Sequence, residues 1–249
     1  WHGLRGLGNP ELPGLRALRR TVTLAEPVPV GRDIAFGLAP LLNAAGRMGE
    51  NELGAQLLLC ANDAAADALV QRLQELNAQR RELGAVNLAA AETAVAQQCG
   101  GDDRFIVVAL DGVAHGVTGI VAAQLQKRYR RPVAVLIIDD GVAQGTARSV
   151  EGWDLLAAVR EADDLLTRYG GHQQAVGMSL PAARVPELRT RLNAAAARTL
   201  AALAPRPQLV IDAVIAPAEA TVAGIRALAA LEPLGVDNGE PRFATRALT

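Results

Sequence analysis

The sequence predicts an α/β fold in which a long helix precedes strands that alternate with further helices. Three observations predict it. Leu69, Leu73, Leu76, Leu83 and Val86 fall on one stripe at helical spacing. The continuous apolar runs Phe105–Leu110 and Val133–Ile138 read as strands buried on both faces. Helix-length segments separate the later strand candidates, which is the pattern of an α/β sandwich.

Residues 1–31 hold glycines, four prolines and little periodicity before Leu15-Arg16-Ala17-Leu18. They read as a loop and a short helix, the tail of a preceding domain. From Asp33 to Leu42 the spacing is helical, with Gly46 as the expected stop. Leu53–Cys60 reads as another short helix. Asn62 or Asp63 caps the long helix, which runs to about Gln98. Gly84 costs it about 1 kcal/mol relative to alanine and marks a place for a kink. Gly100-Gly101-Asp102-Asp103 forms the break. Thr118–Tyr129 is helical, and Val142–Ser149 is a strand entered through a turn at Asp139-Asp140-Gly141. A helix over Leu155–Arg168, a strand over Ala175–Leu180 and a helix over Val185–Leu203 follow. A strand over Leu209–Ile215 and a helix over Val222–Leu231 close the chain.

Of the 249 residues, half are hydrophobic and 3% aromatic, so a sizeable aliphatic core can form. A net charge of −1 excludes a globally basic coat, so a polyanion site must be a local patch. Lys127 is the only lysine, and arginine supplies the remaining basic residues. Arginine suits bidentate phosphate contacts, but base-composition bias is the plainer account of the excess. Cys60 and Cys99 form no CxxC pair, which excludes a disulfide scaffold or zinc ribbon and makes a reducing, cytoplasmic setting the default. No apolar run reaches the ~18–20 residues needed to span a bilayer, and no signal peptide is expected. His2, His115 and His172 are too scattered for a metal cage.

Two blocks point to an anionic ligand. In Gly145-Thr146-Ala147-Arg148-Ser149, strand alternation puts Thr146 and Arg148 on one face, where a hydroxyl and a guanidinium converge on phosphate oxygens. Gly145 permits close backbone approach to a ligand, and Ser149 supports the turn. An exposed strand with an ordinary arginine is the plain alternative. In Gly170-Gly171-His172 the glycines permit positive φ and place the imidazole on a sharp corner, where it can donate to phosphate or act as an acid; a helix C-cap is the alternative. Arg47 follows the expected stop at Gly46, either projecting towards a ligand or complementing the helix dipole. Gly116 and Gly119 open a helix directly after a strand and bare its N-terminal amides, a weak anion-site signal. The Lys127–Arg131 run reads as dipole-complementing charge or as a phosphate-backbone contact.

Together these blocks resemble the C-terminal half of the RecJ-type single-stranded-DNA exonucleases of the DHH phosphoesterase superfamily. Six blocks occur in order: Pro40–Arg47 ("PRLNAAGR"), Leu76–Arg80 ("LNxxR"), His115–Ala122 ("HGVxGIVA"), Gly145–Ser149 ("GSARS"), Gly170–Gly177 ("GGHxxAAG") and Glu232–Phe243 ("EPxGxxNxEPxF"). The resemblance implies a long connecting helix followed by an α/β DHHA1 domain with a central mixed sheet flanked by helices. On this reading residues 1–31 are the tail of a missing N-terminal domain and 32–100 the helical connector. Residues 101–216 are the DHHA1 domain, and 217–249 a helix and the start of a truncated OB-type domain.

The resemblance further implies a 5′→3′ exonuclease acting in DNA repair and recombination. Its Mn²⁺ or Mg²⁺ ions would sit on a preceding DHH domain, so no cofactor is expected in this chain and the chain alone is expected to be inactive. His172 carries over as catalytic. Arg47, Arg80, Gly116, Gly119, Gln124, Thr146, Arg148, Ser149, Gly170 and Gly171 carry over as nucleic-acid or phosphate contacts. Single-stranded DNA is the implied partner, with single-strand-binding protein and a RecQ-type helicase beside it. Leu41 stands where the family carries arginine, Gln124 where arginine often follows, and Val113-Ala114 in place of a Trp-His pair; two fewer cations imply a weaker grip. Two alternatives remain: a phosphodiesterase for oligonucleotides or cyclic dinucleotides, and a non-catalytic scaffold derived from the same family.

Overall fold

The computed structural model describes residues 2–22, 28–200 and 209–246. It divides into two units, Trp1–Ala78 with Pro207–Thr249, and Gln79–Arg206.

The first unit opens with helices α1 (His2–Gly8) and α2 (Pro13–Arg20). A longer helical stretch follows: α3 (Gly31–Asp33), a π-helical turn (Ile34–Leu38) and α4 (Ala39–Arg47), then α5 (Leu53–Leu59). Leu18, Leu38, Leu41, Leu57, Leu73 and Leu76 form its core. Leu41 is buried there, so the apolar residue at this position packs the unit. Gly46 is not the helix stop. Met48 N–H still bonds the Ala44 carbonyl at 3.0 Å, and Glu50 N–H returns to the Ala45 carbonyl at 2.9 Å. The left-handed residue that lets the chain leave the helix is Gly49 (φ 87°).

Helix α6 (Asp63–Gln98) is 36 residues long and unbroken through Gly84. Its cap is Asn62, whose Oδ1 accepts from Ala65 N–H at 2.8 Å.

The second unit carries strands β1 (Ile106–Asp111), β2 (Val133–Asp139), β3 (Val142–Arg148), β4 (Arg168–His172) and β5 (Ala175–Pro181). Its helices are α7 (Thr118–Tyr129), α8 (Leu155–Arg160) and α9 (Val185–Thr199). The sheet order is β1-β2-β3-β5-β4. β1 and β2 run parallel, joined through α7, and the other pairs are antiparallel. The β2–β3 hairpin turns through Asp140 (φ 47°) and Gly141 (φ 77°), as a two-residue turn matched to strand twist requires.

One sheet face packs Leu136, Ala147, Val176, Met178 and Leu180 against Trp153, Leu155, Val159, Leu188 and Leu192. The other packs Ile106, Val108, Val133 and Val135 against Val121 and Leu125 of α7 and Ala91 and Ala94 of α6. That second face emerges beyond β3: Gly170, His172 and Gly177 on it are exposed.

The edge of β1 is sealed by side chains. Gln98 exchanges two hydrogen bonds with the Ala109 backbone (3.1 and 2.9 Å), and Asn193 does the same with Phe105 (3.0 and 2.9 Å). Arg189 Nη2 donates to the Val107 carbonyl at 2.9 Å. Without these partners the edge would present unpaired backbone groups. Asn193→Ala is therefore expected to lose about 1–3 kcal/mol by stranding the Phe105 N–H and carbonyl; an unchanged urea midpoint would contradict this account of the edge.

Three sequence expectations need correcting. The helix expected over Leu155–Arg168 ends at Arg160, and its last residue instead begins β4. Pairing with β5 supplies backbone partners that local helical spacing does not register. The strand expected over Leu209–Ile215 is only β6 (Ala213–Val214), paired parallel with β7 (Phe243–Ala244); both β6 residues are exposed, and Ile211 and Ile215 are half-buried. The helix expected over Val222–Leu231 is α10 (Val222–Ala227) followed by a 3-10 turn. The end of the helix expected over Val185–Leu203 lies outside the described residues.

Candidate functional site

β3 places Thr146 and Arg148 on the emerging face. Arg148 Nη1 donates to Thr146 Oγ1 at 3.0 Å, and Thr146 Oγ1 donates to the Val176 carbonyl at 3.2 Å. The two groups thus hold each other in one orientation. Above them lies the start of α7: a Cβ added to Gly119 would sit 2.9 Å from Arg148 Nη2 and 3.7 Å from Thr146 Cγ2. The guanidinium occupies the space that glycine leaves free. A helix N-terminus carries partial positive charge, so two positive groups face one gap, an arrangement that an anion stabilises.

The register decides where His172 stands. Arg148 pairs with Ala175, and Ala175 pairs with His172. Directly opposed residues share a face, so Arg148, Ala175 and His172 form one row across three strands, with the outer Cα atoms roughly 10 Å apart. The next row on that face is Thr146, Gly177 and Gly170. An arginine and a histidine therefore flank a floor of alanine and glycine.

His172 is not on a corner, as the Gly170-Gly171 pair suggested, but closes a strand. The turn after it is Gln173-Gln174, pinned by Leu155 N–H to the Gln173 carbonyl (3.1 Å) and Ser149 N–H to the Gln174 carbonyl (2.9 Å). Gln174 N–H donates to His172 Nδ1 at 3.3 Å. In the neutral ring that leaves Nε2 carrying the proton, ready to donate to an oxyanion.

The glycines divide by role. Gly171 (φ 150°) is required by the hairpin, since a Cβ there would meet the Ala175 carbonyl oxygen at 2.2 Å. Gly145 is required by the sheet, because its Cβ would meet the Val135 carbonyl oxygen at 1.9 Å. The close approach at Gly145 is thus to β2, not to a ligand. Gly170 and Gly177 have neither constraint: their φ values are not positive, and an added Cβ would find nothing closer than 3.9 Å. Nothing in the described residues demands their lack of a side chain.

The remaining candidates are spread out. Ser149 is buried, its Oγ donating to the Trp153 carbonyl at 2.7 Å. Gly116 lies in the 3-10 turn before α7, and Gln124 is exposed on α7. Arg80 is on α6 within the sheet-bearing unit, whereas Arg47 ends α4 in the other unit. Sequence reasoning missed Gly177, Ala175 and Arg168 on the floor and its margin. No local signal marked them: Arg168 closes the helix expected over Leu155–Arg168, and β4 carries no apolar alternation.

The DHHA1 domain family matches residues 102–198, which span this sheet and its helices. The single-stranded-DNA-specific exonuclease RecJ of Bacillus subtilis is 38% identical over 241 residues, covering 92% of the chain. The crystal structure of RecJ from Thermus thermophilus in complex with Mn²⁺ superposes with a TM-score of 0.82 at 33% identity, covering 98% of the chain. The chain is similar to a RecJ-type DHHA1 fragment over nearly its whole length. The RecJ of Thermus thermophilus is 37% identical over 220 residues, 85% of the chain. The chain spans 30% of the length of each of these two RecJ relatives and 35% of the solved one. Among the described residues, no three His, Cys, Asp or Glu side chains come together to hold a metal ion. No described helix is long and apolar enough to cross a membrane.

Proposed function

We propose that this chain is the phosphate-gripping part of a RecJ-like 5′→3′ single-stranded-DNA exonuclease acting in DNA repair and recombination. The observation that carries the reading is the register that sets Arg148 and His172 on one row, either side of a floor of alanine and glycine. The guanidinium provides a charge-assisted fork to a phosphate. Thr146 fixes that fork, and the His172 Nε2–H donates from across the floor. The bare glycines let a sugar–phosphate chain lie against the strands. Arg47, Arg80, Gly116 and Gln124 are further phosphate contacts by their motif positions, and buried Ser149 acts by holding the loop after β3.

Mn²⁺ or Mg²⁺ held elsewhere in such an exonuclease would supply the activation of water and the charge stabilisation of the leaving oxygen. Among the described residues no cluster of three metal-ligating side chains occurs; the part that Arg148 and His172 would play is to hold the scissile phosphate in register. The distinction between phosphate positioning and base reading predicts binding that falls steeply with salt and ignores sequence.

The test is fluorescence anisotropy with a 5′-phosphorylated single strand, using the chain and its Gly170→Val and Gly177→Val variants. Saturable binding is expected for the unmodified chain. Each variant is expected to keep its urea midpoint, because the new side chain meets open space, and to lose binding about tenfold or more. Unaltered binding in both variants would overturn the floor as the seat of DNA. In the presence of Mn²⁺ the chain should retain the strand without cutting it.

A further inference from the structure

The open face continues past the glycines in the direction away from Arg148. The next row, two residues along each strand, is Gln144, Ser179 and Arg168. All three side chains border one concavity of about 370 Å³, together with Gly170 and Gly177. Two residues of strand advance about 6.8 Å, so this row lies about 14 Å from the Arg148–His172 row. Stacked single strands carry one phosphate per about 3.4 Å of axis. A strand lying along β3 and β5 with one phosphate at Arg148 would therefore bring a later phosphate to Arg168.

Arg168 differs from most other arginines of its unit in its surroundings, and unlike Arg81, Arg104 and Arg130 it stands on a strand of the open face. On α9, and in the turn that leads into it, Arg184 pairs with Glu187, Arg191 with Asp164 and Glu187, and Arg198 with Glu161; Arg128 of α7 pairs with Glu92. Arg131 and Arg189 donate to backbone carbonyls. Among the described residues Arg168 has no such partner, and neither do the side chains of Gln144 and Ser179, which face it across the sheet. One further row along lie Val142 and Pro181, and then the Asp139-Asp140 turn, whose carboxylates repel a polyanion and mark where its path must leave the sheet.

We propose that Gln144, Ser179 and Arg168 form a second phosphate subsite that grips the strand several nucleotides from the phosphate held at Arg148, so that this face favours longer single strands over short ones. The proposal rests on the reading above, in which DNA occupies this face. Arg168 supplies the charge, while Gln144 and Ser179 donate neutral hydrogen bonds to the same oxygens.

The deciding experiment measures binding of a 5′-phosphorylated decanucleotide and a 5′-phosphorylated dinucleotide to the chain, Arg168→Ala and Arg148→Ala. Arg168→Ala is expected to weaken the decanucleotide about five- to tenfold and lower the slope of log affinity against log salt by about one. It should leave the dinucleotide unchanged. Arg148→Ala should weaken both. Equal losses on both lengths in Arg168→Ala, or no loss on the decanucleotide while Arg148→Ala still weakens it, would overturn the subsite and leave the Arg148 site standing. If neither variant weakens the decanucleotide, the Arg148 reading falls with it. Because Arg168 is exposed, its truncation does not disturb the core, and a Gln144→Ala, Ser179→Ala double variant with the same length-dependent loss would confirm the row.

Discussion

Gly145→Ala is expected to unfold the sheet-bearing unit or to cost it at least about 3 kcal/mol, beyond ordinary overpacking. The added Cβ would sit 1.9 Å from the Val135 carbonyl oxygen and 2.8 Å from the Leu136 Cα. Both atoms belong to the backbone of β2, which is hydrogen-bonded to β1 on one side and β3 on the other. No side chain can swing away to make room, so relief requires separating the central strands. The natural contrast is Gly170→Ala, where nothing lies within 4 Å of the new methyl. Urea denaturation of the two variants reads the difference directly. Equal midpoints would mean that β2 and β3 are not packed as closely as described.

The same pair of glycines shows what the sequence could and could not reveal. Both sit in motif blocks, and motif reading treats them alike, as flexible points near a ligand. Only the register separates a glycine demanded by a neighbouring strand from one that leaves a floor bare. The strands themselves were legible because they obey local rules. Phe105–Leu110 and Val133–Ile138 are unbroken apolar runs, and the alternation of Thr146 and Arg148 fixes their common face. β4 was not legible. Its five residues, Arg-Tyr-Gly-Gly-His, have no apolar alternation and two glycines that read as a turn, and its stability comes from β5, which follows it in the chain. With β4 missing, the row that joins Arg148 to His172 through Ala175 could not be drawn, and Arg168 was assigned to a helix. The sealing of β1 was equally hidden: Arg189 and Asn193 lie on a helix far along the chain and Gln98 closes the helix just before β1, and they reveal their role only when the edge is in place.

Arg148→Ala is expected to weaken binding of a 5′-phosphorylated single strand about 10- to 100-fold, the range for losing one charge-assisted fork to phosphate, while leaving the urea midpoint nearly unchanged. Arg148→Lys should recover only part of the loss, since an ammonium cannot reproduce the planar fork. Gly119 gives a sharper test of geometry. Alanine there is a better helix former by up to about 1 kcal/mol, yet its methyl would lie 2.9 Å from Arg148 Nη2. The guanidinium is the far end of a flexible side chain, so it yields instead of the helix and leaves the orientation that Thr146 holds. Gly119→Ala should therefore fold as well as the parent chain and bind DNA several-fold more weakly. In an Arg148→Ala background the same substitution should have no further effect, because the group it displaces is gone. Non-additivity of that kind marks two residues acting through one contact. Independent, additive losses would place Gly119 and Arg148 on separate parts of the ligand and undo the account of a single gap between the α7 N-terminus and β3.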